Sequence, residues 1–293
     1  MANAISQVSN EFSAPYLTLA EFKSAPTGID FDDLVIGGNA NAQDAELLNT
    51  IIRASSWIDQ FCNQQLAAST TTDLQKIRMG RGGIIQFAPD NSPVIALTAL
   101  AYGSNPNNLV SVDASLAWID SYTISYPLGG GYIGSATSFS SGSAAAGQFI
   151  YIKYSYVNGF PNTVINAQAN IGDVSVTVKS GTGITAGSSI NIYDGMKSEW
   201  VTVASTYVFG STIVPLTSAL LFEHDAGIAF SAFPAAIKQA AILMTSVFLQ
   251  VRGDASLTMA VSTNGQMGSS SQNNIQSNID LAKSLLNSYR RMR

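Results

Sequence analysis

The sequence predicts an α+β protein: a helical bundle core with a β-ribbon or small sheet, an inserted all-β domain and a tethered C-terminal helix. Three observations lead there. Apolar residues recur at three- and four-residue spacing before Phe61 and again after Pro234, which marks helices with one buried face. From Leu74 to Val157 the period shortens to two, as in strands. A second run of period two lies enclosed between two Phe-Pro pairs, Phe160-Pro161 and Phe233-Pro234.

Residues 1–15 are polar and aperiodic and read as an N-terminal arm. A helix start follows, with Thr18 at the N-cap and Glu21 at N3 as a capping box. Leu17 and Phe22 flank it as a hydrophobic staple. Pro26 and Gly28 keep this helix short. After an acidic loop with Asp30, Asp32 and Asp33, a second helix begins near Asp44, with Leu47, Leu48, Ile51, Ile52, Ile58 and Phe61 on one face. Gln64 and Gln65 lead it into a Ser/Thr-rich turn.

Strands are expected at Ile84–Phe87, Val94–Tyr102, Leu116–Ile124 and Phe149–Val157, separated by Gly, Pro and Asn clusters. The small-residue segment 129–147 reads as a long loop. Residues 163–233 form the inserted domain, a small barrel or sandwich. Val174, Val176 and Val178 alternate with polar residues there, and Ile190, Ile192, Val201, Val203, Ile213, Val214 and Leu216 continue the pattern. Excising it joins the core, 16–162 plus 234–252, directly through the next helix. That helix starts at Pro234 and shows Ile237, Ala240, Ala241, Met244, Val247, Phe248 and Val251 on a broad apolar face.

Residues 253–274 lack periodicity and read as a flexible tether. The last helix, 275–293, carries Ile275, Ile279, Ala282, Leu285, Leu286 and Tyr289 on a stripe and ends in a basic tip. A lone helix behind a tether has little stability by itself and needs a surface to dock on, in this subunit or another.

Composition narrows the function classes. Hydrophobic residues make up 46% and charged residues 11% of the 293, against about 25% charged in an average soluble domain. A polar but uncharged surface is poorly protected against association and suits a protein committed to neighbours. Secreted and virion proteins of this composition are the other reading. The net charge of −5 argues against a domain built to grip nucleic acid. The single cysteine, Cys62, excludes an intrachain disulfide and falls inside a helical pattern, where a small buried side chain is expected. No signal peptide is visible at the start, and Ala235–Val251 is too short and too polar to span a bilayer. A soluble protein made in a cytoplasm is expected.

No catalytic, cofactor-binding or metal-binding residue is expected. The one histidine, His224, lies between Glu223 and Asp225, but neighbours in a strand point to opposite faces. No second His or Cys completes a metal sphere. A polar turn is the simpler reading. No nucleophile elbow exists for a triad, and Gly80–Gly83 and Gly181-Thr182-Gly183 are too short for a phosphate loop. Asp30, Asp32 and Asp33 start like a calcium loop, but Leu34, Val35 and Ile36 break the ligand alternation. Asp194 and Glu199 are the remaining acids for a hydrolase, without a motif.

Five stretches together resemble the head–tail connector, or adaptor, proteins of long-tailed bacteriophages. They are Tyr16-Leu17-Thr18-Leu19-Ala20-Glu21-Phe22, Leu47 to Phe61 with Ser56-Trp57-Ile58, Tyr154-Ser155-Tyr156-Val157-Asn158-Gly159-Phe160-Pro161, Pro234 to Arg252, and Leu285-Leu286-Asn287-Ser288-Tyr289-Arg290-Arg291. The likeness covers 16–65, 148–161 and 234–293. The β-insertion and the 129–147 loop depart from it. The resemblance implies a structural virion protein of the neck, assembled in the host cytoplasm as a dodecameric ring with a channel for DNA. It implies the portal protein on one side and a stopper or tail-completion protein on the other. DNA passes without sequence-specific binding, and no membrane is involved.

The C-terminal segment is then the portal-docking element, with Ile279, Ala282, Lys283, Leu285, Leu286, Tyr289, Arg290, Arg291 and Arg293 as its residues. Its cations suit acidic portal surface or helix C-termini; a solvated tip beside its own helix dipole is the plainer reading. The alternative function is a carbohydrate- or surface-binding virion protein, with Tyr193, Trp200 and Tyr207 lining a groove on the inserted β-domain.

Overall fold

The computed structural model describes residues 15–29, 34–78, 84–120, 122–127, 149–251 and 270–291. The 1–14 arm, the Asp30, Asp32 and Asp33 cluster, Gly80–Gly83, the 129–147 loop, most of the 253–274 tether and Arg293 lie outside the described residues. Contacts divide the chain into two compact units. One is Ala68–Phe160; the other combines Ala14–Ala67 with Pro161–Arg293.

The first unit is built from strands. β1 (Ser69–Arg78), β7 (Phe149–Asn158), β3 (Val94–Asn105) and β4 (Asn108–Val112) form an antiparallel sheet in the order β1-β7-β3-β4. A three-stranded sheet joins β2 (Ile84–Phe87), β6 (Ile124–Pro127) and β5 (Trp118–Ile119) in that order. Its core lies against the inward residues of both: Ile150, Ile152, Tyr154 and Tyr156 of β7, Leu100 and Tyr102 of β3, Ile85 and Phe87 of β2, Ile124 and Tyr126 of β6. Asp73 also faces inward, where its carboxylate accepts from the Tyr156 hydroxyl at 2.9 Å.

The segment expected as a Ser/Thr turn is strand β1. β-branched threonines fit a pleated, half-buried surface as readily as a loop. The strand expected over Leu116–Ile124 is broken into a 3-10 turn (Ala114–Leu116), β5 and the start of β6. β4 was not expected. A two-residue turn, Pro106-Asn107, joins it to β3, with Asn107 N–H donating to Asn105 Oδ1 at 2.9 Å. Gly103 lies where a Cβ would come within 2.4 Å of the Asn108 carbonyl, so the register irregularity there needs glycine.

The second unit gathers helices from three distant stretches with the β-rich segment. Helix α1 (Leu19–Ser24) opens with the expected capping box: Glu21 N–H donates to Thr18 Oγ1, and Thr18 N–H donates to the Glu21 carboxylate. Leu17 and Phe22 are buried beside it. Helix α2 (Ala40–Cys62) begins four residues earlier than expected, capped by Asn39. It buries Leu47, Ile51, Ala54, Ile58 and Cys62, and leaves Ile52 exposed. Helix α3 (Ala235–Val251) buries Ile237, Ala240, Ala241, Met244 and Val247. Helix α4 (Ser270–Leu286) packs against α3 and α2.

Residues 161–233 carry six short strands: β8 (Asn162–Val164), β9 (Ser175–Thr177), β10 (Ser189–Tyr193), β11 (Glu199–Thr202), β12 (Ile213–Pro215) and β13 (Ala229–Ser231). Four of them form a sheet ordered β11-β10-β13-β8, and β12 pairs with β9. Between them lies a core of Val176, Val178, Ile190, Ile192, Val201, Val203, Val214, Leu216 and Phe230.

The expected helical bundle core is therefore corrected. The chain is α+β overall, but among the described residues four sheets carry the architecture, and two hydrophobic cores are made by strands. Long helices give a strong continuous periodic signal, whereas strands of three to five residues each give almost none. The sum of many weak signals outweighs the strong ones.

Candidate partner-binding surface

The dock that the last helix needs is in its own chain. Ala282 and Leu286 are fully buried, and Ile275, Ile279, Leu285 and Tyr289 are half-buried. Spacings of three and four residues bring this set onto one face of α4, toward α3 and α2. Lys283 and Leu281 face outward.

After Leu286 the chain makes a 3-10 turn, Asn287–Tyr289, and runs across the end of α2. Arg291 N–H donates to the Cys62 carbonyl at 2.9 Å. Asn63 Nδ2 donates to the Arg291 carbonyl at 3.2 Å, and Gln64 Nε2 to the Tyr289 carbonyl at 2.9 Å. The Arg290 guanidinium lies 5.3 Å from the centre of the Phe61 ring, which stacks on Trp57 at 5.5 Å. These contacts satisfy carbonyls that a helix end leaves without partners, and they put positive charge where the α2 dipole is negative. Burial pushes the Cys62 thiol up to about 12, and Arg290 works against that rise. The buried part of the expected site is thus a structural seam, and Lys283 with exposed Arg290 forms its open rim.

Two polar joints support these helices. Lys238, read from sequence only as a break in an apolar stretch, is buried with its Nζ 2.7 Å from Glu21 Oε1 and 4.6 Å from the centre of the Tyr193 ring. Burial lowers its pKa, and Glu21 opposes that. The Tyr16 hydroxyl donates to Asp59 and accepts from Leu66 N–H at 3.0 Å. Burial pushes the Asp59 carboxyl up to about 6, with the bonds from Tyr16 and Leu66 holding it lower than burial alone would.

His224 is not a turn residue. Its ring is fully buried, with Nδ1 2.9 Å from Asp194 Oδ2 and Nε2 2.9 Å from Glu199 Oε1. Glu199 also accepts from Leu221 N–H at 3.0 Å and Phe222 N–H at 3.1 Å. Two carboxylates on both ring nitrogens require both protons on the ring or one on a carboxyl group. Adjacent Glu223 and Asp225 are not its partners. The true ones lie 30 and 25 residues upstream, and only the fold of β10 and β11 brings them together. A fully buried ring has no face for a substrate, so this cluster ties the loop after β12 to β11. Among the described residues no group of three or more His, Cys, Asp or Glu is arranged to hold a metal ion. No helix among them is long and apolar enough to cross a membrane.

Of the three aromatics of the alternative groove, Tyr207 is buried in the β-core, Tyr193 is half-buried, and Trp200 pairs opposite Asn191 on the neighbouring strand. The Tyr193 hydroxyl donates to the Phe233 carbonyl at 3.4 Å, and that of Tyr207 to the Ser211 carbonyl at 2.8 Å from within the β-core. Trp200 alone is exposed, at 64%.

No protein-family profile matches the chain, and no curated protein sequence matches it. Two solved structures align along 94% of this chain and 94% of theirs, at 14% identity. One is described as the neck of an empty gene transfer agent particle computed with C6 symmetry, with a TM-score of 0.37. The other is the virion of a native gene transfer agent particle, with a TM-score of 0.36. Likeness at that level carries no argument about mechanism.

Proposed function

We propose that the chain is a structural subunit of a virion neck, an adaptor that joins a portal protein to a stopper or tail-completion protein as part of a ring around the DNA path. The observation that carries this reading is the assembly of the second unit. Two of the three stretches that resemble connector proteins, 16–65 and 234–293, lie more than 160 residues apart in sequence, yet α1, α2, α3 and α4 pack as one group. The third, 148–161, falls mainly in the first unit. Residues 163–233, which depart from the resemblance, carry their own core. The Tyr289-Arg290-Arg291 ending supports the same reading, since it closes the end of α2 and leaves a cationic rim. In this reading the chain performs no catalysis and needs no cofactor, and it assembles in the host cytoplasm with copies of itself. The ring number, twelve, is what the resemblance implies.

The rim is the portal contact in this account, and the buried stripe holds it in place. Co-purification of full-length protein with its portal tests this. Lys283→Glu, on the exposed side of α4, should weaken portal capture at least 10-fold while leaving the melting temperature within about 2 °C, because exposed substitutions rarely change stability. Capture by the variant equal to that by the unaltered protein would remove the rim from the interface.

A further inference from the structure

The outer face of the β1-β7-β3-β4 sheet differs in composition from the rest of its unit. Pairing sets Arg78 opposite Phe149, Lys76 opposite Tyr151 and Leu74 opposite Lys153. Alternation sends these side chains away from the buried Ile150, Ile152 and Tyr154. On β3, Ala101 pairs with Lys153 and Gly103 with Tyr151, so the strand beside them carries no tall side chain. All the cations among the described residues of Ala68–Phe160 are therefore on this one face: Lys76, Arg78 and Lys153. Asp73 faces inward to Tyr156, and Asp90 N–H donates to Asp73. Asp113 lies past the end of β4 and accepts from Ser115 N–H, and Asp120 sits in a turn with Thr123.

Aromatic rings are interleaved with the charges. Lys76 Nζ lies 4.7 Å from the centre of the Phe149 ring and 5.8 Å from that of Tyr151, and the Arg78 guanidinium lies 5.9 Å from Phe149. Phe149 remains 55% exposed. The two aromatic residues are two positions apart on one strand, about 7 Å, a step that an extended nucleotide chain can follow.

We propose that this face binds a single strand of nucleic acid, with phosphates against Lys76, Arg78 and Lys153 and bases on Phe149 and Tyr151. A four-stranded antiparallel sheet with exposed aromatic residues on one face is a recurring platform for unstacked bases. Cations beside the rings follow the backbone without reading sequence. An acidic protein surface would use the three cations but would gain little from two flat rings next to Ala101 and Gly103. The proposal goes beyond the neck reading and stands on this unit's own surface.

Fluorescence anisotropy of the full-length protein with a labelled 12-nucleotide oligothymidine, at 20–200 mM salt, tests it. Three phosphate contacts predict a slope of log affinity on log salt of about −2. Lys76→Gln/Arg78→Gln/Lys153→Gln should lose at least 10-fold in affinity and flatten that slope. Phe149→Ala/Tyr151→Ala should lose about 5-fold or more while keeping it. Ultraviolet crosslinking of the unaltered protein should attach the oligonucleotide to the peptide holding Phe149 and Tyr151, a readout independent of how well the variants fold. The proposal is overturned by the absence of binding at 20 mM salt, or by either variant binding as the unaltered protein does. It is overturned equally by crosslinks confined to other peptides, or by duplex DNA or polyglutamate competing as well as the oligonucleotide.

Discussion

Within the second unit, the β-rich stretch 161–233 and the helical group α1–α4 are held by different means. The β-rich stretch is contiguous. It buries Val176, Val178, Ile190, Ile192, Val201, Val203 and Val214, and the His224 ring between Asp194 and Glu199 fastens the loop after β12. The helical group is assembled from pieces far apart in the chain, and its joints are pairwise: Lys238 to Glu21, Tyr16 to Asp59, Arg291 to Cys62. Contiguity gives the first region a core of its own. The second exists only when the distant pieces meet, so it is where assembly can be coupled to folding.

The largest expected effect breaks the first region from within. His224→Ala empties a fully buried site and leaves Glu199, itself buried, without its ring partner, and the cavity together with the lost hydrogen bond costs about 3–5 kcal/mol. Thermal unfolding should show a loss well beyond that of any surface change, and a variant as stable as the parent would mean the cluster is not a fastener. Next comes the seam of the helical group. Leu286→Ala empties a fully buried site and should cost about 2–4 kcal/mol. Preserved protection of α4 amides against hydrogen exchange in that variant would show that α4 is held by something other than its stripe.

A smaller effect is pH-dependent. The Asp59 carboxyl is held near 6 in the folded chain, above its ordinary 3.8. Between those values the folded state binds more protons than the unfolded one, so Asp59 makes stability fall as pH rises from about 4 to 6. Asp59→Asn should remove that part of the slope in denaturant melts at pH 4, 5 and 6, and an unchanged slope would exclude Asp59 as its source. Lys283→Glu, with the smallest effect on stability, sharpens the comparison by touching only the rim.

The same contrast explains how much was legible in the sequence. The capping box at Thr18 and Glu21, the buried faces of α2 and α3 and the valine alternation around Val176 and Val178 are local patterns, and local patterns survive into the fold. The stripe on α4 was legible too, because Ala282 and Leu286 fall four apart. What it docks on was not, since nothing near residue 286 refers to residue 62. His224 failed for a related reason. Its sequence neighbours Glu223 and Asp225 suggested a turn, while its partners came from a strand and a turn about thirty residues upstream. Lys238 looked like a flaw in an apolar helix face because its counter-charge, Glu21, lies 217 residues away. The helical-bundle expectation erred by weighing periodic length over the number of short strands.

The neck account is tested most directly by the mass of the full-length chain in solution, alone and mixed with its portal protein, by native mass spectrometry. It predicts a closed ring of the chain, formed alone or on the portal, with the portal-bound form lost in Lys283→Glu. A chain that stays monomeric under both conditions and ignores the portal would contradict it.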